Sequence, residues 1–151
     1  MHPVRADGVI EIDAEAALLE LGAIVARAAM PTPVFEIIGQ SEVDNARARI
    51  TGTKLNPWGG DWESWADSTS KYRERKGNAG LGLLWDDGDL LDSIHFAVEG
   101  PSVEIGSDLD YARYLQEGTE NMPAREFLGW SPHMLAFYEQ LFATYIETGV
   151  A

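Results

Sequence analysis

The chain has 151 residues, 45% of them hydrophobic, no cysteine and a formal charge of −14. That length and apolar content suit one domain with a real core rather than a disordered segment, and the absence of cysteine excludes disulfides and thiolate metal sites. The acid excess, with a pI near 4.4, opposes nucleic-acid binding, which needs Lys and Arg to neutralise phosphates. No apolar run approaches the ~20 residues of a membrane helix, and Met1-His2-Pro3-Val4-Arg5 lacks the apolar core of a signal peptide, so no membrane partner is expected.

Ala14, Ala17, Leu18, Leu21, Ile24, Val25 and Ala28 fall on one helical face and predict an amphipathic helix over Ala14 to Ala29. Asp13 suits its N-cap, and Pro31 with Pro33 stops it. A second helix is expected from about Val34 to Ile50, with a poorer pattern and Gly39 inside it. From Thr51 to Gly82 turn residues dominate, with Asn56-Pro57 and Gly59-Gly60 as the strongest breaks. Asp67 or Ser68 suits the cap of a short helix through Arg75, and Gly77 to Gly82 reads as a mobile loop.

Asp87 or Gly88 precedes a helical turn carrying Leu90, Leu91 and Ile94. Alternation predicts strands over His95 to Glu99 and Ser102 to Gly106, joined through Gly100-Pro101. A helix from Asp108 to Glu117 ends on Gly118, and Arg125 to Gly129 reads as a third strand or extended segment. Ser131-Pro132 opens a last helix that is expected to bury Leu135, Tyr138, Leu141, Phe142, Tyr145 and Ile146. The fold class is therefore α+β: one domain over residues 1–151, a small antiparallel sheet packed against two to four helices, with long N-terminal and C-terminal helices.

Few residues suggest chemistry. Asp86, Asp87, Asp89 and Asp92 have the oxygen ligands of a hard-cation site, but their spacing misses the calcium-loop signature and suits a helix start. The histidines His2, His95 and His133 form neither a zinc pair nor a triad. Gly80-Leu81-Gly82 lacks the Gly-Lys-Ser/Thr of a phosphate loop. The basic runs Arg47 to Arg49 and Lys71 to Lys76 read as solvated helix surface. Trp58, Trp62, Trp65 and Trp85 crowd one turn-rich stretch, either packing it down or anchoring a partner. Arg125 suits two-point contact with a carboxylate.

The pieces Pro57-Trp58-Gly59-Gly60-Asp61-Trp62, Asp67-Ser68-Thr69, Gly88-Asp89-Leu90-Leu91-Asp92-Ser93-Ile94, Tyr111-Ala112-Arg113-Tyr114-Leu115-Gln116-Glu117-Gly118 and Pro123-Ala124-Arg125-Glu126-Phe127-Leu128-Gly129 gain meaning from their order and spacing. Together they resemble the phage virion morphogenesis family, the tail-completion proteins of Mu-like and related tailed bacteriophages. The chain departs from that pattern at Asp87, where Thr is usual, at Leu115, where His is common, and at Glu126, where Pro is frequent.

The resemblance implies a structural virion protein, with no enzyme activity and no cofactor. It would act in tail completion and head-to-tail joining, as a homo-oligomeric ring, most often a hexamer, at the tail end or neck. Implied partners are further copies of itself, tail tube or tail terminator proteins, and head-tail connector proteins. DNA would pass through the lumen without specific binding. Implied locations are the virion tail or neck and, during assembly, the host cytoplasm. The interface candidates are Trp58, Trp62, Arg125 and Phe127. The alternatives are a small metal-dependent enzyme built on Asp86 to Asp92, or another neck component such as a connector adaptor or stopper.

Overall fold

A computed structural model describes residues 14–151; Met1 to Arg5, with His2, and the expected cap Asp13 lie outside the described residues. Helix α1 spans Ala14–Ala29, an Ala- and Leu-rich run of strong helix formers that stops before the prolines at 31 and 33. Its predicted apolar face is not packed away: no residue of α1 is buried. Arg27 ties the helix down, donating from Nε to the Ile146 carbonyl at 2.8 Å and from Nη2 to the Glu147 carbonyl at 3.1 Å.

Helix α2 spans Thr32–Ala48 and continues as a π-helical turn over Arg49–Thr53. Lys54, at a φ of 59°, closes it in the left-handed region. Its apolar pattern is blurred because α2 is covered on two sides. One side packs Val43, Ala46 and Ile50 against Trp62, Leu90, Ile94 and Phe127. The other packs Val34 and Ile38 against Tyr138, with Phe35 meeting Phe142 edge to face at 5.4 Å.

The sheet is a hairpin, β1 at Ile94–Glu99 and β2 at Ser102–Ser107, paired antiparallel with Phe96 opposite Ile105 and Val98 opposite Val103. Helices α3 (Asp67–Lys76) and α4 (Asp89–Ser93) precede it. Helix α5 occupies Ala112–Glu117, starting later than predicted. Residues 125–129 pair with no strand, so the third-strand reading gives way to a segment held by side chains. Helix α6 spans Pro132–Thr148, with the Ser131 hydroxyl accepting from the Met134 amide as its cap. It buries Tyr138 but leaves Leu135 exposed. The α+β expectation, with long helices at both ends, holds.

The membrane reading needs one correction. By length and composition alone, the helical stretch Ala14–Thr53 contains an 18-residue window apolar enough to cross a bilayer. The stretch holds no uninterrupted apolar run of that length, because charged residues such as Glu20 and Arg27 interrupt it.

Gly39 lies where the hairpin crosses α2, and a Cβ there would sit 2.2–2.8 Å from the Phe96 ring. In an exposed helix Gly→Ala is worth about 0.5–1 kcal/mol of stability. Here Gly39→Ala is expected to cost about 1–3 kcal/mol by overpacking, read as a lower urea midpoint with an unchanged slope.

Beneath α6 the Tyr138 hydroxyl donates to Glu42 Oε1 at 2.7 Å. Burial, and after it the Glu42 carboxylate, pushes the Tyr138 hydroxyl above its ordinary 10.0. A folded-state value above the unfolded one contributes stability below the unfolded value, lost as pH rises through the folded one. Stability is therefore expected to fall as pH climbs past 10.0, and Tyr138→Phe is expected to flatten that alkaline slope in chemical melts.

Candidate protein interface

The five sequence pieces meet in space around the segment 123–129. Gln116, at the end of α5, accepts at Oε1 from the amides of Phe127 and Leu128, both at 3.0 Å. Its Nε2 donates to the Leu128 carbonyl at 2.8 Å. One side-chain amide thus supplies the pairing that a neighbouring strand would have given. The Arg125 amide donates to the Leu115 carbonyl at 2.8 Å, and Trp62 Nε1 donates to the Glu126 carbonyl at 3.1 Å. Gly118, at a φ of +76°, lets α5 end against this segment: a Cβ there would meet the Ala124 nitrogen at 2.7 Å and the Met122 oxygen at 2.9 Å.

The basic residues hold the remaining irregular backbone. Arg125 donates to the carbonyls of Glu63 and Ser64 at 2.8 and 3.0 Å. Arg49 donates to the Phe127 carbonyl at 2.9 Å, and Arg47 to those of Leu91 and Ile94 at 3.0 and 3.1 Å. Lys54 reaches the carbonyls of Ile50, Leu81 and Leu83, and Arg73 those of Gly82 and Trp85. With Arg27, six of the eleven basic residues bond main-chain oxygens. The reading of Arg47 to Arg49 and Lys71 to Lys76 as solvated surface is corrected at Arg47, Arg49 and Arg73. Gly77 to Gly82 is likewise anchored by Lys54 and Arg73 rather than left as a free loop.

Burial lowers the pKa of both Arg49 and Arg125, opposed by the carboxylates of Glu42 and Glu63 respectively. Lys54 is lowered by burial and then by the neighbouring Arg73 charge. All three side chains donate to main-chain carbonyls, hydrogen bonds that favour the charged form.

The predicted interface residues separate into two groups. Trp62, Arg125 and Phe127 lie inside the subunit, at 6%, 6% and 0% exposure. The carboxylate expected for Arg125 is replaced by two main-chain carbonyls. Trp58 is the outward one, at 59% exposure. It sits on a turn locked by Asn56, whose Oδ1 accepts from the amides of Trp58 and Gly60 at 3.0 and 2.8 Å. The turn leans on Gly129, where a Cβ would strike Pro57 at 2.8 Å.

A cleft of about 490 Å³ opens beside this segment, lined by Trp65, Arg73, Trp85, Tyr111, Met122 and Arg125 among others. Its arginines face carbonyls, and Arg73 lies 5.0 Å from the Trp65 ring centre. Of the acidic run, Asp86 pairs with Arg73 and Lys76, and Asp87 pairs with Lys76. Among the described residues no group of three or more His, Asp or Glu side chains is placed to hold a metal ion. His95 is exposed and lies 3.7 Å from Asp108.

Sequence reasoning missed Gln116, Arg49, Lys54 and Arg73 as organisers. Gln116 alone gave a signal, as a member of the Tyr-Ala-x-x-x-Gln-x-Gly piece. The exposed large apolar residues were missed as a group: Leu18, Leu19, Leu21 and Val25 on α1, with Trp130, Leu135 and Phe137 at the start of α6.

A family model described as the phage virion morphogenesis family matches residues 12–147, most of the chain and all five pieces. No curated protein and no solved structure matches the chain.

Removing the Arg125 fork strands two carbonyls. Arg125→Ala is expected to cost the isolated subunit about 1.5–3 kcal/mol in urea unfolding. Arg125→Lys is expected to recover only part, because an ammonium cannot reproduce the planar two-point geometry. A loss near zero for Arg125→Ala would contradict the bracing role.

Proposed function

The chain belongs to the phage virion morphogenesis family, and from that premise we propose that it completes the tail and helps join it to the head, as a ring, expected to be hexameric, at the tail end or neck. Family membership gives the coarser statement, a role in bacteriophage virion assembly. The finer reading rests on one observation: the polar and aromatic residues of the sequence pieces mostly hold the backbone, while Trp58 faces outward. An enzyme site needs polar groups converging on a reacting atom. Here the cleft arginines are bonded to main chain, and Trp58 stands on a rigid turn as an anchor for another protein. The partners proposed are tail tube or tail terminator proteins on one side and connector proteins on the other.

The charge distribution suits that position. With six basic side chains turned onto carbonyls, the acidic residues face solvent with little opposition, and an acidic lumen keeps DNA in transit from adhering. No enzymatic activity or cofactor enters this reading.

A phage lacking this gene is expected to accumulate filled heads and tails that fail to join, and the wild-type gene in trans is expected to restore titre. Electron microscopy of particles carrying labelled protein should place the label at the neck. Trp58→Ala is expected to cut the complemented titre at least about tenfold, the loss of one interface anchor, while leaving the melting temperature of the purified protein unchanged. Normal joining in the absence of the protein would overturn the proposal.

A further inference from the structure

The outer edge of β2 carries main chain that the hairpin itself cannot pair. Only Gly100 and Pro101 join the strands, and Glu99 lies opposite Ser102. A two-residue turn makes that flanking pair hydrogen-bonded, and bonded pairs then alternate along an antiparallel ladder. The pairs Ala97–Glu104 and His95–Gly106 therefore bond inward, while the amides and carbonyls of Val103 and Ile105 point away from β1. No hydrogen bond from another segment of the described residues reaches them. Beside them runs a mostly apolar groove of about 210 Å³, lined by Val103, Ile105, Leu128, Gly129, Trp130 and Glu42. It is smaller than the roughly 300–1,000 Å³ pockets that bury small ligands. Natural sheets blunt such an edge with Lys, Pro or a bulge. Strand β2, SVEIGS, has neither residue, and its register with β1 is unbroken.

We propose that β2 receives an extended segment of another protein as an added strand, with alternate apolar side chains in the groove and basic ones beside Glu104. Free amides and carbonyls at every second residue of a strand are matched by extended main chain and by no compact surface. Period two then fixes the guest's pattern. Residues on the side of Val103 and Ile105 meet their apolar side chains and the exposed Trp130. Those on the other side lie next to Glu104, which is exposed, sits opposite Ala97 and pairs with no cation among the described residues. Opposite charges stabilise neighbouring strands and like charges oppose them. Glu104, in a chain of formal charge −14, thus selects a basic guest and turns away a copy of β2, which would bring its own Glu104. This inference needs only the hairpin and its groove, and stands apart from the tail reading.

The test titrates the isotope-labelled full chain with two capped peptides, Val-Lys-Val-Lys-Val and Val-Glu-Val-Glu-Val, followed by NMR. The lysine peptide is expected to shift the Val103 and Ile105 amide resonances and to slow their exchange with solvent at least about tenfold, as new hydrogen bonds form. A strand bonds its neighbour through alternate residues. Methylating either the valine or the lysine amides is therefore expected to weaken binding at least about tenfold in one case and to leave it unchanged in the other. Glu104→Lys, at an exposed site, is expected to melt like wild type and to reverse the preference toward the glutamate peptide. Binding that ignores both methylations would mean side-chain contact without an added strand, and overturns the inference. Amides of Val103 and Ile105 already protected in the isolated chain also overturn it. Protection independent of concentration assigns the edge to the chain's own residues, and protection that grows with concentration assigns it to a second copy. If neither peptide binds, the edge is a solvated surface and the inference falls. The complementation test of tail joining is unaffected by any of these outcomes.

Discussion

Irregular main chain has to be paired once it is buried, and that requirement shapes this protein more than any sheet or helix does. With a single two-stranded hairpin among the described residues, most of the connecting segments have no ladder to join. Their oxygens instead meet Arg27, Arg47, Arg49, Lys54, Arg73 and Arg125. An unpaired buried carbonyl costs about 1–3 kcal/mol, so the segments at 63–64, 81–85 and 126–128 could not pack without these donors. Arginine suits the task because its planar fork bonds two oxygens at once, as Arg125, Arg47 and Arg27 each do. The core then forms behind a scaffold of side chains, with Phe127 fully buried between Trp62 and α2.

The regular elements were legible because their periods are local. Helix α1 ends at the predicted Ala29, and the hairpin differs by one residue at two strand ends. The misses share one cause. The residues Arg125 to Gly129 suit a strand or an extended segment, but they cannot tell whether the neighbour is a strand or a glutamine side chain. A run such as Arg47 to Arg49 does not disclose whether its guanidinium groups meet water or carbonyls. The apolar stripe of α1 was read correctly as a stripe, yet period alone says nothing about what covers it.

The candidate site was legible as a place rather than as a set of roles. Trp58, Trp62, Arg125 and Phe127 do cluster around one segment. Three of them support it from within, and one projects from a turn that Asn56 and Gly129 hold still. Family resemblance found these positions because the spacing of the pieces follows from their contacts: Gln116 must reach Phe127, and Gly118 must clear Ala124. It did not say which way each side chain faces, since that depends on contacts far apart in the chain.

Turning the cations inward has a consequence for how the protein responds to its solvent. The charge that faces the solvent is mostly negative, so two copies, or a copy and another acidic partner, approach against a repulsion that ions screen over about 8–10 Å near physiological strength. The apolar contacts that would join them gain nothing comparable from dilution. In the ring proposed above, added salt would favour association, the reverse of its effect on a protein held to DNA by released counterions. Ionic strength would then control when the proposed ring comes together, with the dispersed form favoured in dilute buffer.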